Sequence, residues 1–243
     1  MPFTLAHPAI VLPLVNSKRV STTALIIGTM IPDFKFYLQL KENLYSENTS
    51  FSFLCLDICL AIFFSYLFHN LLKKPLLNNL PILWSDNFKV SQTNQWNQYA
   101  ASNKVVIIFS ALLGVMTHIV WDGFTHHDGF FVNLIDVLNY KIHFNSYDLP
   151  FYYLLQILFS ILGLVILFNF INKKEFIQEV SFKHLSSYSY WIYFLIIFII
   201  LLSMRILLFP QYNSFWSVVI AFIGCALYAW TLISIIFIKK TNA

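Results

Sequence analysis

Five apolar runs, each long enough to cross a bilayer as a helix, constrain this chain more than anything else in it. They are Phe51 to Leu72, Val105 to Trp121, Phe151 to Phe170, Tyr188 to Phe209 and Phe215 to Ile238. About 20 residues of helix suffice to span the hydrocarbon. A further stretch, Val20 to Leu40, is interrupted by Pro32-Asp33 and then Lys35, which predicts a short span, a re-entrant segment or an interfacial helix. The expected fold class is therefore all-α: a polytopic α-helical membrane protein with five transmembrane helices plus a short or broken N-terminal one. Composition agrees, because only 11% of the 243 residues are charged, against about 25% in an ordinary soluble domain.

The lysines sort by loop. Lys73, Lys74, Lys89 and Lys104 follow the first run, Lys173, Lys174 and Lys183 follow the third, and Lys239-Lys240 end the fifth. By the positive-inside rule these segments are cytoplasmic, the C-terminus included. The stretch from Asp122 to Pro150 has Lys141 as its one cation and falls on the other side. A sixth, N-terminal crossing would put Lys18-Arg19 inside as well. The opening residues, with Pro2, His7, Pro8 and Pro13 before Lys18-Arg19, do not read as a cleavable signal. A multi-pass protein of the cell (inner) membrane is expected, surrounded by membrane lipids. The net charge of +4 is explained by topology and calls for no nucleic acid.

Residues 1–150 hold nearly all the polar side chains that sit in apolar context, and form an N-terminal membrane region. Residues 151–243 form a C-terminal region of three transmembrane helices. Cys55, Cys59 and Cys225 lie in apolar runs as packing residues rather than as a disulfide framework. Gln156 and Ser160 are expected to hydrogen-bond between helices, and Arg205 to snorkel to the interface. The loop 75–103 reads as a cytoplasmic connector. With six glycines there is no phosphate-binding Gly-rich loop, and no serine or cysteine nucleophile stands at a recognisable spacing from a base.

What stands out is Thr117-His118-Ile119-Val120-Trp121-Asp122-Gly123-Phe124-Thr125-His126. Ionisable groups inside a membrane run are expensive, so a functional site is the default reading. His118, Asp122 and His126 recur every four residues and share a helix face within an arc of about 80°. Neighbours lie about 6 Å apart along the axis and can grip one ion, whereas the outer pair, about 12 Å apart, cannot unless the helix ends first. Gly123 and Gly129 make an early end reasonable. His118 and Asp122 then form a two-toothed ligand, with His126 on a second ion or acting as an acid/base. Further ligands are sought at Asp33, His69, His7 and Asp57, all in similarly awkward surroundings. Imidazoles with carboxylates suit zinc, manganese or iron.

On these residues the chain resembles a bacterial membrane family known as a domain of unknown function (DUF4184). The resemblance runs through Met1-Pro2-Phe3-Thr4-Leu5-Ala6-His7-Pro8-Ala9, Gly28 to Phe34, Phe68 to Leu76, Thr117 to His126 and Leu154-Leu155-Gln156. More loosely, it is similar to predicted membrane-bound metal-dependent hydrolases and to zinc-dependent phospholipase C. Those share an order of ligands, His, Asp, His and then His-x-x-x-Asp, which His7, Asp33, His69, His118 and Asp122 reproduce. Where a histidine is expected just before the first run, this chain has Asn48-Thr49-Ser50. The resemblance implies a hydrolase of lipid or lipid-linked phosphoesters working through metal-activated water. Asp33, His69, His118 and Asp122 hold a divalent metal, zinc first, and His7 or His126 supplies a further ligand or the general acid/base. The alternative is a non-enzymatic membrane protein with a structural metal or a proton or solute path.

Overall fold

The structure is a computed structural model that describes residues 4–15, 17–42, 51–79, 95–144, 147–172 and 188–240. Lys89, Lys173, Lys174, Lys183, His184 and Asn48-Thr49-Ser50 lie outside the described residues. The chain opens with a 3-10 helix, Thr4–Leu14, followed by α1 (Thr22–Gly28), α2 (Ile31–Gln39) and α3 (Phe51–Leu67). α3 runs on through a π turn, Phe68–Leu72, into α4 (Lys73–Asn78). Then come α5 (Gln95–Ser102), α6 (Lys104–Thr125), α7 (Phe130–Leu134), a 3-10 turn (Asp136–Asn139) and a hairpin of β1 (Lys141–Phe144) with β2 (Tyr147–Pro150). Three long helices close the chain, α8 (Phe151–Asn172), α9 (Tyr188–Leu208) and α10 (Phe215–Lys240).

Five helical segments are long and apolar enough to cross a membrane: Phe53–Asn78, Lys104–Thr125, Phe151–Asn172, Tyr188–Leu208 and Phe215–Ile238. They fall on the five apolar runs, so the all-α multi-pass architecture holds. The N-terminal stretch is broken as the sequence suggests. Pro32 has no N–H to bond the Gly28 carbonyl and so stops α1 from running on, while in the first turn of α2 its missing N–H is no loss. What results is two helices of 7 and 9 residues rather than a sixth span. The connector 75–103 is partly helical, at Lys73–Asn78 and Gln95–Ser102. The β-hairpin is an element that the apolar pattern did not signal. It pairs Lys141 with Pro150 through Phe144 with Tyr147.

The chain packs as two units whose segments interleave along the sequence. The first comprises residues 1–32, 46–63 and 100–172, and the second residues 33–45, 64–99 and 173–243. In the first, α1 lies against the small-residue stripe of α6. A Cβ on Gly28 would stand 2.6 Å from the Ala111 carbonyl oxygen and 3.2 Å from the Gly114 Cα, so the two backbones touch. Small residues at such crossings are how membrane helices gain close packing. Ser110 fastens the crossing, its Oγ accepting the Ser21 N–H at 2.8 Å and donating to the Val106 carbonyl at 2.6 Å. The N-terminal 3-10 helix packs on α8, where a Cβ on Gly163 would meet Ala6 at 2.8 Å.

In the second unit α9 and α10 pack around Tyr190, Ile233 and Phe237 at one level and Phe198, Cys225 and Ala229 at another. Arg205 does not snorkel. It is buried, and its guanidinium donates to the carbonyls of Leu40 (2.8 Å), Tyr212 (2.8 Å) and Phe209 (3.3 Å) and to Asn213 Oδ1 (3.0 Å). The unpaired carbonyls at the end of α9 and beyond α2 offered it more acceptors than the lipid interface would.

Candidate metal centre

Along α6, Ser110, Gly114, His118 and Asp122 follow one another at intervals of four, so the small residues that admit α1 lead directly to the ionisable ones. The close crossing carries the end of α1 to His118. The His118 Nδ1 lies 2.7 Å from the Thr29 carbonyl oxygen. A carbonyl only accepts, so Nδ1 carries the proton and donates it, and in the neutral ring Nε2 is left with its lone pair. That nitrogen points to Asp122 Oδ2 at 3.1 Å. An imidazole oriented through its other nitrogen by a backbone carbonyl is the usual setting of a metal-ligating histidine.

His7 arrives from the N-terminal 3-10 helix. Its ring stacks on His118 at 4.1 Å between centroids and meets Trp121 in a T-shaped contact at 6.0 Å between centroids. Its Nε2 faces Asp122 Oδ1 at 3.6 Å, too far for a hydrogen bond. Both atoms are buried, and neither has a hydrogen-bond partner. Charging a ring so buried is costly, and a neutral imidazole there keeps a lone pair for a cation.

His126 joins from the helix end. α6 stops at Thr125, and His126 takes extended backbone at φ −113° and ψ 148°, while its N–H still bonds the Asp122 carbonyl at 3.0 Å. Leaving the helix brings the third member of the four-residue series back towards the second. Its Nδ1 is 3.5 Å from Asp122 Oδ1. Gly129 helps to make the early end possible, since a Cβ there would lie 2.9 Å from the His126 carbonyl oxygen as the chain folds over the last turn. The far nitrogen, Nε2, is 3.3 Å from the Gln156 amide nitrogen of α8. With that amide donating, the His126 proton sits on Nδ1, which lies 3.5 Å from both Thr125 Oγ1 and Asp122 Oδ1.

Among the described residues, donor atoms of His7, His118 and Asp122 lie within 4.8 Å of one another, the separation a single ion needs. His7 and His118 are 2% exposed, whereas Asp122 is 24% and His126 34% exposed, so the cluster is closed on the histidine side and open beside Asp122 and His126. This donor group does not include Asp33 or His69, which belong to the second unit. Asp33 is buried in the first turn of α2. His69 occupies the π turn and stacks on Trp96 at 4.3 Å with planes 10° apart. His127 pairs with Asp128 and His143 with Asp148, all four exposed.

Two participants escaped the reading of the sequence, and a third was read in part. Gln156 was expected to bond between helices; it does so, and its partner is His126. Its signal was an amide in an apolar run. Thr29 contributes only a backbone carbonyl, which no side-chain pattern reveals. Trp121 walls His7, and as an aromatic in an apolar run it carried no signal at all.

No curated protein and no solved structure matches this chain. A family model does match, over residues 1–238, and so takes in the 3-10 helix with His7, the α1–α6 crossing and the whole cluster on α6; the chain belongs to the family described as Domain of unknown function (DUF4184).

Proposed function

We propose that this protein is a membrane-embedded metal-dependent hydrolase acting on a phosphoester of a lipid or lipid-linked molecule. His7, His118 and Asp122 hold the ion and His126 is the general acid/base. The observation that carries the reading is the pair of buried, mutually facing atoms His7 Nε2 and Asp122 Oδ1, neither of which has a hydrogen bond. Buried polar atoms without partners are costly and rare. A cation between them would satisfy both, beside a third donor, His118 Nε2, already aimed by Thr29. Two imidazoles and a carboxylate fit zinc, with manganese or iron next. Three protein ligands with one side open is the pattern of catalytic rather than closed structural sites.

When bound, such an ion supplies Lewis acidity and makes water nucleophilic at neutral pH. The protein's own groups do the rest. Thr29 fixes the His118 ring, Trp121 and the stacked imidazoles exclude water from the closed side, and His126, directed by Gln156, stands at the open side to take or give a proton. The lipid class follows from depth. α6 has 22 residues, hence about 33 Å, close to the hydrocarbon thickness, which leaves Asp122 about 5 Å and His118 about 10 Å from the helix end. A phosphate in the headgroup layer is near that level. The likeness to membrane-bound metal-dependent hydrolases and zinc-dependent phospholipase C supports the same reading, and the bacterial likeness supports the cell (inner) membrane. Lys239-Lys240 and the lysine-rich loops support a cytoplasmic C-terminus, with the cluster towards the opposite face. The near-complete burial of two ligands favours one second reading, a structural metal without turnover.

The test is the metal content of the protein purified without chelator, by mass spectrometry, beside a His118→Ala/Asp122→Ala double variant. About one zinc, manganese or iron per chain, lost in the variant, is expected. Equal emptiness of both rejects the proposal. Asp122→Ala alone separates the two readings: a catalytic ion loses turnover with folding retained, whereas a structural ion loses detergent stability.

A further inference from the structure

The segment between α6 and α8 has two faces. Phe131 stacks on Phe124 at 3.9 Å, and Val132 and Leu138 are buried. Phe130, Leu134, Val137 and Tyr140, by contrast, are 66 to 71% exposed. The segment is pinned at both ends. The Gly129 N–H bonds the His126 carbonyl at 2.9 Å, the Asn139 amide bonds the Val132 carbonyl at 2.6 Å, and the Phe151 N–H bonds the Tyr140 carbonyl at 2.9 Å. Four large apolar side chains held outward on a fixed backbone are not what water selects.

What covers them follows from where they stand. The segment joins the ends of two membrane-length helices on one side of the bilayer, and those helices carry exposed apolar side chains, among them Met116 and Val120 on α6 and Ile157, Leu158 and Ile161 on α8. The apolar face of the segment continues that lipid-facing surface. Tyr140, with Tyr152 and Tyr153 in the first turn of α8, supplies the aromatics found at a bilayer interface. A shallow, mainly apolar groove of about 660 Å³, lined by Val137, Tyr140, Ile142 and Phe151 together with Asp136 and Asn139, opens along it. The water side is marked by the exposed pairs His127–Asp128 and His143–Asp148.

We infer that residues 129–140 form an interfacial foot that lies in the headgroup layer of the bilayer and presents lipid phosphates to the His/Asp cluster from within the membrane. The foot is fixed to the turn of α6 that carries Asp122, since Phe131 packs against Gly123 and Phe124. Its seating in the bilayer sets the level of the cluster. The membrane half of this inference stands on exposure and topology alone; the substrate half rests on the hydrolase reading.

Two measurements test it. In liposomes, with Cys55, Cys59 and Cys225 replaced by alanine, Val137→Cys and His143→Cys are each labelled with an environment-sensitive fluorophore. They are then exposed to nitroxide-bearing phospholipid and, separately, to aqueous iodide. Lipid nitroxide should quench the Val137 label at least about threefold more than the His143 label, with iodide giving the reverse order. Equal access of iodide to both puts the foot in water, and protection of Val137 from both quenchers puts it against a second copy of the chain; either overturns the inference. The second measurement compares Leu134→Glu/Val137→Glu with wild type on vesicle phospholipid and on a water-soluble phosphoester, with metal content as the folding control. Loss of at least about tenfold on vesicles alone supports delivery from the membrane, and equal loss on both substrates overturns it. If the quenching holds while the wild type turns over neither ester, the hydrolase reading has failed and the foot stands.

Discussion

Gly28→Ala changes no ligand and yet should weaken metal binding. The added Cβ falls 2.6 Å from the Ala111 carbonyl oxygen and 3.3 Å from the Val115 nitrogen, both backbone atoms that cannot rotate aside. Ordinary contact needs about 0.8 Å more, so α1 and α6 must separate by about that much. Carried one residue along, the same shift stretches the Thr29 to His118 bond from 2.7 Å to about 3.5 Å, beyond hydrogen-bonding range. The ring then loses the partner that fixes its proton and orientation, a loss that elsewhere lowers metal affinity about 10- to 100-fold. Stability should change less. Overpacking costs about 1–3 kcal/mol, and replacing a helical glycine by alanine returns up to about 1 kcal/mol. The assay is competition for the ion against a chelating fluorophore in detergent, with thermal unfolding in parallel and Met116→Ala, on an exposed face of α6, as control. Gly28→Ala binding the ion within about twofold of wild type, with its unfolding temperature lowered, would refute the claim that the α1–α6 crossing sets the His118 ring.

Gln156→Leu should keep the ion but lower turnover about 10- to 100-fold, as expected when a general acid/base loses its orientation; metal content and steady-state rates read the two separately. His69→Ala should retain the ion, because the three-donor group is complete without it, while loosening the stack on Trp96; loss of the metal would return His69 to the ligand set. Arg205→Met removes the donor of several part-buried carbonyls and should cost about 1–3 kcal/mol, read as a lower unfolding temperature.

The five spans were legible because lipid selects long apolar runs with little ambiguity. The His118/Asp122 pair was legible for the opposite reason, that lipid rejects such side chains. His126 was readable only on condition that the helix ended early, which the glycines at 123 and 129 suggested and the chain's reversal at Gly129 explains. The crossing of Gly28 on Ala111 and Gly114 could not be read, because nothing in one sequence says which small residues meet across more than eighty positions. Arg205 misled because snorkelling and the capping of helix-end carbonyls look the same in a linear chain. The hairpin 141–150 went unnoticed because strands of four residues between two membrane runs leave too short a pattern.

The N-terminal 3-10 helix has a consequence for the order of assembly. Its 11 residues rise about 22 Å, too short to cross the hydrocarbon, and Pro8 and Pro13 inside it have no N–H to close backbone hydrogen bonds, so it is tolerated at membrane depth only when protein surrounds it. It cannot enter the bilayer ahead of the helices that shelter it, α6 and α8, which begin 90 and 137 residues after its end. His7, made before the rest of its cluster, is therefore the last of it to arrive, and the centre stays open until the rest of its unit has been built.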